Sequence, residues 1–229
     1  MCLLREFPDQ ATLTAGLAQD VARRLGEDLA RQERVVLGVS GGRSPVPLFQ
    51  ALSRLALPWD RVTVTLADER WVPPAHPDSN EALVRAHLLR GRAAAAGFVP
   101  LFTGAATPEA GAAAACAALD ALPRPFSRIL LGMGEDGHIA SLFPGAAELA
   151  EGLATEAWAL AVRPPHAPHP RLSLSLRALL QARDLVLVVS GEAKRRVLER
   201  ALEEGPVEDL PVRAILRQSA VPVSVCWAP

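Results

Sequence analysis

Leucine and valine recur at every fourth position near the start of the chain: Leu13, Leu17, Val21, Leu25 and Leu29, with Gln19, Asp20, Arg23, Arg24 and Glu27 on the other faces. That period predicts an amphipathic helix from Asp9 to about Arg31. The pattern then changes. Val35-Val36-Leu37-Gly38-Val39 is a continuous apolar run, the mark of a strand buried on both faces. Ser44 is expected to cap the next helix with Pro45 at its first position, and Leu48, Phe49 and Leu52 supply its apolar face.

The same unit repeats. Val62 to Leu66 reads as a β-branched strand running into Ala67-Asp68-Glu69-Arg70. Asp78-Ser79-Asn80-Glu81 opens a helix with an acidic cap and a Glu three residues on. Thr107-Pro108-Glu109 opens an Ala-rich helix. Ile129 to Met133, Trp158 to Val162, Leu172 to Leu176 and Leu185 to Val189 are further strands. A last helix is expected from near Glu192, followed by a closing strand from Val221 to Trp227, where Pro222 suggests an edge. Strands alternating with helices predict an α/β fold with a mainly parallel sheet. In such sheets ligands bind beyond the carboxyl ends of the strands.

Composition narrows the function. Of the 229 residues 50% are hydrophobic and 21% charged, which suits a folded chain and excludes wholesale disorder. Lys+Arg 24 against Asp+Glu 25 gives a net charge of −1, so the basic footprint of a nucleic-acid binder is missing. No apolar run is long enough for a bilayer, and the N-terminal residues do not read as a signal peptide. Cys2, Cys116 and Cys226 are far apart and form no CxxC. A reducing cytoplasm is therefore expected. There is no Tyr, so no phenol takes part in the chemistry.

Three strand ends carry unusual residues. In Ser40-Gly41-Gly42-Arg43-Ser44-Pro45 the glycines sit at a strand-to-helix turn, where backbone N–H groups can approach a phosphate. A tight turn alone would look the same, and neither GxxxxGK[ST] nor GxGxxG is present. Asp68-Glu69-Arg70 places three charges directly after an apolar strand. In Gly132-Met133-Gly134-Glu135-Asp136-Gly137-His138 three glycines frame an Asp and a His. Histidine exchanges protons near neutral pH, and a nearby carboxylate can orient its ring. Lys194, in the first turn of a helix, opposes the helix dipole unless an anion is bound there. Arg171 can converge on the same anion, whereas Arg195 reads as an ordinary surface cation. His166 and His169 have a metal-like spacing, but Pro165, Pro168 and Pro170 forbid the helix that would align them. His76 and His87 read as structural. No covalent nucleophile is indicated at Ser40 or Cys116.

Together, SGGRSP (Ser40 to Pro45), ADERWVP (Ala67 to Pro73) with Asp78-Ser79-Asn80, GMGEDGHIASLFPG (Gly132 to Gly145), and RLSLSL (Arg171 to Leu176) with Gly191-Glu192-Ala193-Lys194 resemble the glucosamine-6-phosphate isomerase/6-phosphogluconolactonase family, on its lactonase side. Order and spacing agree along nearly the whole chain. The resemblance implies a Rossmann-like three-layer α/β/α fold of the sugar-phosphate isomerase type, with residues 1–229 as one lactonase domain. It departs in two places. Arg43-Ser44 stands where the family usually has Ser-Thr. Phe143 stands five residues after the histidine, where the related deaminases carry an acid used in ring opening.

The implied activity is hydrolysis of a phosphorylated six-carbon sugar lactone in the oxidative pentose phosphate pathway. His138 is the expected general base, with Asp136 or Asp68 orienting it, and Arg70 steadying the oxyanion or sugar hydroxyls. Gly41, Gly42, Arg43, Ser44, Arg171 and Lys194 are the expected phosphate contacts. No metal, cofactor, nucleic acid or membrane is expected, and the chain is expected to act as a monomer. The alternatives are an amino-sugar-phosphate deaminase or isomerase with Asp68 abstracting a C2 proton, and a non-catalytic sugar-phosphate sensor. A sensor needs a DNA-binding module, and the helix from Asp9 leads straight into the core unit.

Overall fold

The computed structural model describes residues 2–229. Among the described residues ten strands and eight α-helices follow in the order β1 (Cys2–Glu6), α1 (Gln10–Leu29), β2 (Val35–Val39), α2 (Val46–Leu52), β3 (Val62–Leu66), β4 (Asp68–Arg70), α3 (Asn80–His87), β5 (Gly97–Val99), α4 (Pro108–Asp120), β6 (Arg128–Gly132), α5 (Leu149–Ala154), β7 (Ala159–Val162), β8 (Arg171–Leu174), α6 (Leu176–Leu179), β9 (Leu185–Ser190), α7 (Glu192–Leu202), α8 (Arg213–Arg217) and β10 (Val223–Ala228). Seven strands form one parallel sheet in the order β1-β10-β9-β6-β2-β3-β5. Helices cover both sides of it, giving the expected three-layer α/β architecture. Every residue of β2 and β3 is buried, as the unbroken apolar run of β2 and the β-branched run of β3 require. The α1 stripe Leu13, Leu17, Val21, Leu25 and Leu29 is buried in the same core. Each such side chain contributes about 1.5–3 kcal/mol by leaving water.

The strand order locates the site. From β2 the chain moves through β3 to β5 at one edge, whereas β6 lies on the other side of β2 and leads towards β9. The loops after β2 and β6 therefore part in opposite directions. A crevice opens at their carboxyl ends, the switch point where doubly wound sheets bind ligands.

Several expectations are corrected. Ser44 does not cap α2: Pro45 occupies the cap position in a helical conformation, and no side chain bonds the first turn. The cap of α3 is Ser79, which accepts from Ala82 N, and not Asp78. The helix at Glu192 is followed by α8. Pro222 marks no edge, because β10 pairs with both β1 and β9 and the proline precedes the strand. The edge is β1, too short and too exposed to stand out by pattern. The apolar run from Leu172 stops at Leu174, where Ser175 caps α6 by accepting from Ala178 N.

A second sheet was not expected. It is antiparallel, in the order β4-β8-β7. Its strands hold three or four residues each, too few to show a period, and β4 reads in sequence as a charged turn. Under the main sheet, Arg128 is buried and grips Asp184 through Nε and Nη2 (2.6 and 2.8 Å) while Nη1 donates to Asp20 (2.9 Å). This forked pairing ties the start of β6 to α1 and to the residue before β9.

Candidate active site

A cleft of about 290 Å³ lies at the switch point. Gly41, Gly42, Arg43, Ser44, Asp68, Arg70, His138, Arg171 and Lys194 all line it. The fold thus gathers nine of the ten expected site residues from five separate segments. The tenth, Asp136, stands behind His138 and not in the cleft wall.

The histidine and its partner are well defined. His138 Nδ1 lies 2.6 Å from Asp136 Oδ1, which also accepts the His138 backbone N–H at 3.1 Å. Nε2 is thereby the ring nitrogen left for a reacting molecule. Burial opposes ionisation of Asp136, but the hydrogen bond and charge of His138 outweigh it and hold the carboxyl below its ordinary value. Gly134 makes the pair possible: a Cβ there would overlap both the His138 ring and the Asp136 carboxylate. Phe143 packs against the other side of the imidazole, with ring centroids 4.1 Å apart.

Asp68 has a different task. Its Oδ2 accepts Ser141 Oγ at 2.6 Å and lies 3.6 Å from Arg171 Nη1. Ser141 N in turn donates to Ser173 Oγ at 3.0 Å. The segment that follows His138 is thus pinned to β4 and β8. Of the two carboxylates considered for the histidine, the geometry pairs Asp136 with it.

The small sheet sets the cations. Its register puts Asp68 opposite Ser173 and Arg70 opposite Arg171. Like charges directly opposite across strands are destabilising unless an anion lies between or beside them. Burial pulls Arg171 below its usual value and Arg70 adds to this, while Asp68 resists. Arg171 Nε is buried with no partner among the described residues. Arg70 is aimed by Nη1, which donates to Asn80 Oδ1 (2.6 Å) and to the Asp78 carbonyl (2.8 Å). The cleft wall therefore carries Arg43, Arg70, Arg171 and Lys194 against the single carboxylate Asp68.

The Gly41 loop completes it. Among the described residues the backbone N–H groups of Gly41, Gly42, Arg43 and Ser44 donate to no protein acceptor. A Cβ at Gly41 would overlap the Asn80 side chain, so the loop needs glycine to pass it. Arg43 is exposed at the rim. Arg195 pairs with Glu6 and Glu199 and lies over Trp227, as an ordinary surface cation does. Lys194 takes no part in those ion pairs and faces the cleft.

Sequence reasoning missed the residues that hold these groups. Asn80 lines the cleft and supports Arg70. Buried Glu69 accepts the backbone N–H of Arg70, Asn80 and Glu81 (2.7 Å each) and the Ser79 hydroxyl (3.1 Å), fastening the start of α3 to β4. Burial pushes its carboxyl above the ordinary value, against the pull of those N–H groups. A polar Asn at the first position of a helix was the available signal for Asn80. Nothing local distinguished Glu69 from its charged neighbours.

Comparison with known proteins agrees with this geometry. The model of the family described as glucosamine-6-phosphate isomerases/6-phosphogluconolactonase matches residues 8–227. The chain belongs to this family. Within it, the chain is 45% identical over 225 residues to a 6-phosphogluconolactonase of Mesorhizobium japonicum, covering 97% of this chain and 94% of that protein. It is 44% identical over 228 residues to one from Pseudomonas aeruginosa, covering 99% and 94%. A crystal structure of a family member, a 6-phosphogluconolactonase from Shewanella baltica OS155, superposes with a TM-score of 0.98 at 43% identity, over 100% of this chain and 98% of that one.

Proposed function

We propose that this protein hydrolyses 6-phospho-D-glucono-1,5-lactone to 6-phosphogluconate, the lactone-opening step of the oxidative pentose phosphate pathway. The observation that carries the reading is the cleft itself. A carboxylate-backed histidine presents one free nitrogen to a space walled by Arg70, Arg171 and Lys194. The family relatives, named as 6-phosphogluconolactonases, support the substrate.

In this reading His138 Nε2 takes a proton from water as the water oxygen attacks the lactone carbonyl. Such a base is worth about 10²–10⁴-fold. Asp136 fixes the ring and balances the imidazolium. Arg70, held by Asn80 and the Asp78 carbonyl, meets the oxyanion that develops on the carbonyl oxygen. The bond from the carbonyl carbon to the ring oxygen then breaks, and His138 returns its proton to that oxygen. The phosphate lies among Gly41, Gly42, Arg43, Ser44, Arg171 and Lys194, and its binding positions the distant carbonyl. Asp68 holds Arg171 and the Ser141 segment in place. No step calls for a metal or an organic cofactor.

Residues 1–229 act in this reading as one lactonase domain, supported by a core that runs from Leu13 to Ala228. The working unit in this reading is a monomer. Three free thiols support a reducing, cytoplasmic setting. Among the described residues no helix is long and apolar enough to cross a membrane.

The test is a pH-stat assay of the phosphorylated lactone against its spontaneous opening, with gluconolactone in parallel. Acceleration of the phosphorylated substrate, undiminished after exhaustive chelation, is expected. A rate no faster than the spontaneous one, or an activity abolished by chelation and restored by zinc, overturns the reading or its metal-free chemistry respectively.

A further inference from the structure

We propose that His76, Asp78 and His169 form a binding site for a divalent transition metal, zinc foremost, that straps together two loops beside the cleft. One loop joins β4 to α3 and the other joins β7 to β8. Their ligand atoms lie within 4.8 Å of one another. His169 Nε2 is 3.0 Å, and His76 Nδ1 3.9 Å, from Asp78 Oδ2. Tetrahedral zinc with bonds of about 2.0–2.2 Å needs ligand atoms about 3.3–3.6 Å apart, so small side-chain rotations close the triangle. The two rings stand edge to face at 77° with centroids 5.4 Å apart, which leaves their nitrogens free to converge. His76 Nδ1 accepts the Asp78 backbone N–H at 3.1 Å, an exposed bond that ligation can replace.

The backbone is already stiff. Pro77 follows His76, and His169 stands between Pro168 and Pro170, so both histidines precede a proline. His169 is held at φ +67°, a left-handed conformation that non-glycine residues seldom adopt and that recurs at ligand clamps. His166 has a metal-like spacing to His169 in sequence, but Pro165, Pro168 and Pro170 forbid the helix that would align the two. Folding supplies His76 and Asp78 instead, about ninety positions away in sequence.

Two imidazoles and one carboxylate suit zinc, copper or nickel and disfavour magnesium and calcium, which take oxygen ligands. The site lies outside the cleft wall. Its loops meet Arg70 through the Asp78 carbonyl, which receives Arg70 Nη1, and the neighbouring Trp71 through Pro170 O, which accepts Trp71 N at 2.8 Å. Bound metal would steady these loops on either side of Arg70 and Arg171 without entering the hydrolysis.

The experiment is calorimetric titration of the metal-stripped full chain with zinc chloride, with Co²⁺ absorption as a check on geometry. Wild type and His138→Gln should bind one equivalent with a rise in Tm. His76→Gln and His169→Asn should weaken binding by about 100-fold or more, since even outer partners of a metal site are worth about 10–100-fold. Asn tolerates the left-handed conformation, so the second variant keeps the loop. In the unaltered protein, zinc should shift the imidazole resonances of His76 and His169 and leave those of His87 and His166 in place. No stoichiometric binding by wild type, binding unchanged in both loop variants, binding lost only with His138→Gln, or resonance shifts elsewhere would each sink the proposal.

Discussion

The ring of Phe143 lies on the imidazole of His138, with centroids 4.1 Å apart and planes inclined at 34°. Arg171 stands on the same phenyl ring, its guanidinium carbon 5.6 Å from the centroid. Position 143 is thus in direct contact with the candidate base, and it offers a hydrocarbon face where the resembling deaminases carry an acid. The only carboxylate bonded to the imidazole is Asp136, among the described residues. Glucosamine-6-phosphate should therefore release no ammonia above background in an enzyme-coupled ammonia assay. Deamination faster than the acceleration of lactone opening would reverse the assignment.

His138→Ala should keep the fold, since the side chain is partly exposed, and lose about 10²–10⁴-fold in kcat. Asp136→Asn should lose less than that, because the base remains and only its orientation and charge balance suffer. Circular dichroism establishes folding and the pH-stat gives the rates. A folded His138→Ala with near-normal turnover removes the residue from the mechanism.

Lys194 and Arg171 separate binding from architecture. Lys194→Ala removes a cation that takes no part in the neighbouring ion pairs, so it should raise KM for the phosphorylated lactone and leave Tm nearly unchanged. A charge-assisted hydrogen bond to phosphate is worth about 1.5–3 kcal/mol, roughly a 10- to 150-fold change in binding. Arg171→Ala should raise KM too, but it also strips buried Asp68 of its cation, so Tm should fall. Steady-state kinetics beside thermal unfolding checks both. An unchanged KM in the two variants returns them to the solvated surface.

Asp20 ties acid stability to the Arg128 pairing. Burial opposes its ionisation, yet hydrogen bonds from Arg128 and Arg23 prevail and hold its pKa below the ordinary 3.8. A carboxyl depressed in the folded state stabilises above its unfolded pKa and loses that contribution as pH falls through the folded value. Asp20→Asn should cost about 1–3 kcal/mol at pH 7, with Asp184 still holding Arg128. The gap to wild type should narrow as pH drops below 3.8. Urea unfolding at several pH values measures it, and a gap that widens in acid contradicts the account.

Local patterns by themselves determined the alternating α/β plan, the amphipathic α1, the buried runs of β2, β3, β6 and β9, and nine of the residues that line the cleft. These are one-dimensional signals. Apolar periodicity follows from which face must leave water, and a Gly-framed His-Asp pair is already adjacent along the chain. Tertiary structure alone decided the rest. The three-residue β4 shows no period, and only its pairing with β8 sets Arg70 opposite Arg171. The choice between Asp136 and Asp68 depended on where Ser141 and Arg171 fold. Glu69, Asn80 and the meeting of His76 with His169 likewise join segments distant in the chain. Charge and hydrogen-bonding act through space at a few ångströms, so partners brought together by chain crossovers leave no mark on the local sequence of either.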